Sequence, residues 1–278
     1  MPALYPSYFI TGASSGIGQS LAVELARRAA AKSAPLALAL LGRRMHALEE
    51  TRAQVLAAYP NANIHLHVLD INESYGAIEA AINASANALG VLLHCFIINA
   101  GVAGMPRPVG SATRFEEDVR SVAVTNFVST IACIDAAVKY IREHKVNTTR
   151  EQAHIVGMSS VAGSIDVPYQ AVYSASKAGL DTYLRTLSLE TTGQGIHITS
   201  IKPGYIDTPI NGGKNAERPF VITPLAGSKT MADRIAARSA SAFVPWFPWA
   251  IASLVVKMLP KWLVLRVVAS RLERVKDV

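Results

Sequence analysis

Between residues 7 and 204, short apolar runs alternate with helix-patterned stretches. SYFIT (7–11), LALALL (36–41), IHLHVLD (64–70), HCFIINA (94–100), AHIVGMSS (153–160) and IHITSIKPG (196–204) read as strands. The stretches 17–31, 46–58, 74–88, 113–143 and 171–192 read as helices, with 113–143 holding one or two. Leu21, Leu25 and Ala29 recur at spacing four along the first of them. LALALL is continuously apolar, the pattern of a strand covered on both faces. Strand–helix–strand repetition joins parallel neighbours through right-handed crossovers. The expected fold is α/β: a doubly wound parallel sheet of about seven strands with helices on both faces. Its ligand crevice lies at the carboxyl ends of the strands.

After residue 204 the pattern changes. Residues 205–228 are rich in Gly, Pro and Asn and read as a loop; 232–240 read as a helix, SAFV (241–244) as a seventh strand, and 249–273 as one or two terminal helices. This gives one domain over 1–278, with 205–230 as a substrate lid that Gly212-Gly213 allow to bend. A C-terminal helical extension, basic and apolar, covers 246–278. Half of the 278 residues are apolar and 17% are charged, which excludes a disordered chain. Cys95 and Cys133 sit in apolar runs without CxxC spacing or a nearby His pair, so neither a disulfide framework nor a metal site is expected. No basic segment precedes the first apolar stretch, which Gly12, Gly16 and Gly18 interrupt. The expected location is therefore the cytoplasm.

The charge is uneven. Residues 1–213 hold 16 basic and 16 acidic side chains, whereas 214–278 hold 11 and 4, so the whole excess of +7 lies in the last quarter. That quarter also contains SAFVPWFPWAIASLVV and LPKWLVLRVVAS. Three readings stay open: a cover for the substrate pocket, a subunit contact, or peripheral contact with an anionic membrane surface. A spanning helix fits poorly, because Pro245 and Pro248 break the uncharged stretch 239–256. No nucleic-acid motif appears, and the basic residues are interleaved with Leu, Val and Trp.

Directly after the first strand comes Thr11-Gly12-Ala13-Ser14-Ser15-Gly16-Ile17-Gly18, then a helix. Glycines let the backbone approach a pyrophosphate closely, and the N–H groups of the helix N-terminus bind the anion. The context is that of a Rossmann-like dinucleotide site formed by Gly12, Ser14, Ser15, Gly16, Ile17 and Gly18. At the tip of the second strand stand Gly42-Arg43-Arg44, with no acid for a ribose 2′-hydroxyl. Arginine suits a 2′-phosphate, so NADP(H) is expected over NAD(H), with Arg43 as the clamp and Arg44 second. Asp70, ending the third strand, is placed to accept from the adenine amino group.

Tyr173 and Lys177 stand four apart at the start of a helix and share a face. A phenol with pKa near 10 is a poor proton donor or base at neutral pH, and a fixed ammonium lowers that value. Ser159-Ser160 end the fifth strand ahead of this pair, and the strand ends converge on the crevice that holds the dinucleotide.

At these residues the chain resembles the short-chain dehydrogenase/reductase family. The resemblance rests on TGASSGIG (11–18), Asn99-Ala100-Gly101, Asn126, Ser160, Tyr173, Lys177, Pro203-Gly204 and Thr208, and covers about residues 5–208. It implies Tyr173 as general acid in carbonyl reduction and base in alcohol oxidation. It implies Lys177 on the nicotinamide ribose, lowering the Tyr173 pKa, and Ser160 on the substrate oxygen. Asn126 would hold a water in a proton relay, and Asn99, Ala100 and Gly101 would floor the adenosine ribose. Thr208 would meet the carboxamide, with Pro203-Gly204 flanking the ring. Ile98 stands where the family usually has a first asparagine.

The implied activity is NADP-dependent hydride transfer between nicotinamide and a carbonyl or secondary alcohol, on an apolar ketone or aldehyde. The alternative is a catalytically silent NADP(H)-binding sensor or scaffold. A homodimer or homotetramer through 113–143 and 171–192 is implied too. The Asp-Gly-Gly ending of many family members is missing; the long apolar C-terminus is similar to that of a subgroup some of whose members associate with membranes or act on lipid-like ketones and alcohols. Arg107, Lys214 and Arg218 are the cations with a position near the expected cleft mouth.

Overall fold

The computed structural model describes residues 5–111, 114–150, 152–211, 218–260, 262, 263 and 266. Seven strands form one sheet in the order β3-β2-β1-β4-β5-β6-β7, every pair parallel. They are β1 (Ser7–Thr11), β2 (Ala37–Gly42), β3 (Asn63–Val68), β4 (Cys95–Ile98), β5 (Ala153–Met158), β6 (Ile196–Pro203) and β7 (Ser241–Val244). The chain starts in the middle and winds outward to β3, then returns and winds the other way. The strand order therefore reverses between β1 and β4, which opens the crevice above their carboxyl ends.

Alternate side chains feed two cores. Phe9 faces Ala39 and Phe96 across the ladder, Phe96 faces Ile155, and Ile155 faces Ile198. These pack against α3 (Tyr75–Leu89), α4 (Glu116–Glu143) and α5 (Ala171–Glu190). Tyr8, Ile10, Leu38, Leu40, Ile97 and Val156 point the other way, into α1 (Gly16–Lys32), α2 (Met45–Ala58) and α6 (Pro224–Ala236). Leu21, Leu25 and Ala29 line the buried face of α1, as their spacing requires. Burying each such leucine contributes about 1.5–3 kcal/mol, so both faces of the sheet are secured by many small terms.

The stretch 113–143 is one helix from Glu116, wound as a π-helix over Glu116–Arg120 and again over Val124–Ser129. It is long and apolar enough to cross a bilayer, but Cys133, Ile134, Ala137 and Ile141 are buried in the domain core.

The expectations over 205–240 are corrected. Residues 205–228 are not all loop, since α6 begins at Pro224 rather than at 232 and ends at Ala236 rather than at 240. Thr223 caps it by accepting from Ala226 N, and Pro224 occupies the first turn, where its missing N–H costs nothing. The last residues of the expected lid, 224–230, are thus helical and packed beside α1. The terminal helix α7 runs Trp249–Met258, inside the expected 249–273, and stops ahead of Pro260; the rest of that stretch lies largely outside the described residues. Gly212-Gly213, Lys214 and most of the chain after 263 lie outside the described residues.

Candidate active site

The carboxyl ends of β1, β2, β4, β5 and β6 surround a cleft of about 790 Å³. One end is backbone. Gly12 has φ +65°, and a side chain there would meet Ala100 Cα and Asn99 Nδ2 at 2.9 Å. A Cβ at Gly18 would overlap the Gly12 carbonyl, so α1 enters against the turn itself. Asn99 pins this turn, its Nδ2 donating to the carbonyls of Thr11 (3.0 Å) and Gly12 (3.2 Å). Thr11 Oγ1 accepts in return from Asn99 N (3.0 Å) and Ala100 N (3.1 Å). The sequence placed Asn99 under a ribose; the structure shows it also locking the glycine turn.

Ser15 precedes α1 without capping it through its side chain, and the first turn holds no acid. The helix N-terminus therefore keeps its N–H groups and positive end for an anion. Ser14, Ser15, Gly16 and Ile17 all line the cleft. Thr208 closes over this end, its Oγ1 donating to Ile206 O (3.2 Å) and its Cβ lying 3.4 Å from where a Gly16 Cβ would be. Arg43 and Arg44 line the cleft where β2 ends. Arg44 Nη2 donates to Ser15 Oγ at 3.4 Å, and Arg43 Nη1 lies 3.8 Å from Asp70 Oδ2. That ion pair is exposed and weak, so Arg43 is easily redirected to a ligand. Asp70 Oδ1 accepts from Asn72 N (3.0 Å), holding the loop after β3. These features fit a dinucleotide: a turn without side chains, an uncapped helix start, and two guanidinium groups at the ribose end.

The other end is made of side chains. Lys177, on α5, is buried and donates from Nζ to the Met158 carbonyl at 2.8 Å. Burial pulls its ammonium down to about 8, with Asp181 opposing. Asp181 is itself held by Ser200 Oγ (2.6 Å) and Lys202 Nζ (3.0 Å). Ser160 follows β5 and caps the short turn Val161–Gly163 by accepting from Ala162 N (3.1 Å); its hydroxyl also reaches Pro203 O at 3.5 Å. Ser159 turns away and donates to Lys177 O (3.2 Å), which fastens β5 to α5.

Tyr173 faces the cleft between them. Burial raises its hydroxyl pKa, opposed by a hydrogen bond with Ser160 and by the charge of Arg218, while Tyr205 adds to the rise. Lys177 Nζ lies 5.9 Å from the Tyr173 ring centroid and is engaged by Met158 O. Arg218 was named as a cation near the mouth; here it lines the cleft with its Cζ 4.9 Å from the Tyr205 ring centroid. Arg107 instead turns toward Asp118 at 4.0 Å. Tyr205 was missed altogether, because nothing in its sequence neighbourhood marks it beyond the adjacent Pro203-Gly204.

Asn126 is fully buried in the second π-wound segment. Its Oδ1 accepts from Val102 N (2.8 Å) and its Nδ2 donates to Val102 O (2.7 Å). The side chain thus fixes the strand-end loop of Asn99, Ala100 and Gly101. A Cβ at Gly101 would meet Asn126 Oδ1 at 3.0 Å and Lys177 Nζ at 3.5 Å, so the absence of a side chain brings Lys177 and Asn126 together. Among the described residues, no group of three or more His, Cys, Asp and Glu converges as a metal site.

The family model for short chain dehydrogenase matches residues 7–219. An uncharacterized oxidoreductase of Myxococcus xanthus is 31% identical over 259 residues, 92% of this chain and 93% of that one. Levodione reductase of Leifsonia aquatica is 30% identical over 201 residues, 72% of this chain and 69% of that one. A solved short chain dehydrogenase from Mycobacterium paratuberculosis, bound to NAD, superposes with a TM-score of 0.71 at 25% identity, covering 85% of this chain and 94% of that one. With a family model over residues 7–219 and a relative 31% identical across nearly its whole length, the chain belongs to the short-chain dehydrogenase/reductase family.

Proposed function

We propose that this oxidoreductase reduces an apolar ketone or aldehyde with NADPH and, in reverse, oxidises the secondary or primary alcohol. The observation that carries this reading is that Tyr173, Ser160 and Lys177 together line one end of a cleft whose other end fits a dinucleotide. The reduced nicotinamide, when bound, supplies the hydride to the carbonyl carbon. Ser160 Oγ–H donates to the carbonyl oxygen and steadies the negative charge that develops there. Tyr173 gives that oxygen its proton and is left as phenolate. Burial raises its pKa, and the charge of Arg218 opposes that rise, toward the range in which a phenol can give up its proton. Lys177 holds a proton with reduced affinity beside the same cleft.

Arg43 and Arg44, with no acid at the tip of β2, support NADPH over NADH. The cleft walls at Val102, Met105, Val161, Val167 and Ile210 support an apolar substrate. Exposed Val128 on α4 and Leu189 on α5 support a homodimer or homotetramer through those helices. Trp246, Phe247, Leu254 and Met258 are exposed around α7 beside exposed Lys257, which supports peripheral contact with an anionic membrane. Cosedimentation with phosphatidylserine vesicles but not with neutral ones is the expected outcome; equal recovery from both excludes that contact.

The direct test follows NADPH absorbance over a panel of carbonyls, from small diketones to bulky ketones. Tyr173→Phe should lower turnover about 10²–10⁴-fold and leave NADPH binding intact. Unchanged turnover in that variant would remove Tyr173 from the chemistry and favour the sensor reading.

A further inference from the structure

Trp249 opens α7, far along the chain from the cleft, yet its indole lies flat on Gly204. A Cβ added at Gly204 would overlap Nε1 and approach Cδ1 and Cε2 at 2.7 Å. The same indole meets the edge of Tyr205 at a centroid distance of 5.5 Å and the ring of Phe220 at 6.2 Å. Gly204, Tyr205 and Arg218 line the catalytic cleft. The chain on either side of this contact is zipped together. Asp207 N donates to Ile222 O (2.9 Å), and Ile222 N donates to Tyr205 O (3.0 Å). Gly204 N is held by Val244 O (2.9 Å), just before the segment that leads into α7. Trp249, not itself in the cleft lining, therefore packs on the segment whose Gly204 and Tyr205 line it, with three aromatic or backbone surfaces seated on the indole.

We propose that Trp249 is a positioning residue: its indole, seated on Gly204 and against Tyr205 and Phe220, fixes the substrate-facing wall of the cleft. The C-terminal segment thereby sets the reach of the carbonyl substrate beside Tyr173, and favours a bulky apolar one that touches Tyr205. The physical reason is geometric. Without the indole, Gly204 and Tyr205 lose the surface that stops them from moving outward, and Arg218 moves with the Tyr205 ring it stacks on. Edge-to-face aromatic pairs hold such a wall in one orientation better than aliphatic contacts do. The substrate part of this inference rests on the reading of the cleft as a carbonyl-reducing site; the wall part does not.

The test uses the full chain and the variants Trp249→Ala and Trp249→Phe, with Phe220→Ala as the counterpart on the facing segment. Amide hydrogen exchange at Asp207 and Ile222 should quicken about tenfold in Trp249→Ala and in Phe220→Ala, and stay near wild type in Trp249→Phe. In the strands β1 and β4, exchange should not change. For a bulky apolar ketone, KM should rise about tenfold in Trp249→Ala, with kcat and NADPH affinity within about threefold of wild type. Unchanged exchange at both amides would overturn the proposal. So would acceleration spread evenly over β1 and β4, which would make Trp249 a general fold contact, or a Trp249→Phe variant as impaired as the alanine. If wild type turned over no carbonyl at all, the functional reading would fall, while the exchange rates would still decide the wall.

Discussion

At the phosphate end of the cleft the working surface is backbone: Gly12, Gly16 and Gly18 in the turn, the N–H groups of α1, and Asn99 bonded to two carbonyls. At the Tyr173 end it is side chains gathered from β5, α5, the segment after β6 and, behind them, α7. The turn of the first end is built within one β–α unit, and Asn99 from the end of β4 and Thr208 from beyond β6 close on it. The second draws on residues from 160 to 249 and holds each polar group by a separate bond. A backbone site tolerates almost no added volume but asks little of side-chain chemistry. A side-chain site tolerates changes in volume better, but depends on burial to tune its titrating groups.

Adding volume at the backbone end gives the largest expected effect. Gly12→Val forces a β-branched residue to φ +65° and into Ala100 and Asn99. It should cost about 2–4 kcal/mol of stability and abolish measurable NADPH binding. Urea melts and nucleotide fluorescence read both, and a stable variant that still binds would break the contrast between the two ends.

The side-chain end should show itself in pH dependence. Burial takes Lys177 from 10.5 to about 8. Between those values the unfolded chain holds a proton that the folded chain has released, so stability should rise with pH across that window. Relative to Lys177→Met, wild type should gain of order 3 kcal/mol between pH 8 and 10.5. Parallel stability curves for the two proteins would mean the lysine is better solvated than its contacts imply.

The smallest effect is expected at the exposed rim. Arg43→Asp should weaken NADPH about 10–100-fold and NADH far less, the measure of one charge-assisted contact. Equal loss for both nucleotides would remove Arg43 from phosphate recognition.

The sheet was legible because parallel strands covered on both faces need continuous apolar runs, and LALALL and CFII carry no competing signal. The phosphate turn was legible for the same reason that it is local. The start of α6 was not: Pro224 and Gly227 read as loop residues, although Thr223 before a proline also has the form of a capped helix start. Gly227 has its own cause, since a Cβ there would meet Ile206 Cδ1 at 3.0 Å. The Tyr173 environment was only half legible. The i, i+4 spacing brought Lys177 near, but Lys177's bond to Met158 and Arg218's field on Tyr173 depend on folding that no spacing encodes. The seat of Trp249 on Gly204 joins two residues with no shared pattern at all.

That seat also bears on how such an enzyme diversifies. The family match ends at residue 219, ahead of Trp249. Under the proposed roles, Ser160, Tyr173 and Lys177 lie inside the matched stretch and Trp249 lies outside it. If the proposed role of Trp249 holds, replacing the terminal stretch should change what the wall accepts without rewriting Ser160, Tyr173 or Lys177. New selectivity can then be tried by exchanging a tail, at little risk to the chemistry already in place.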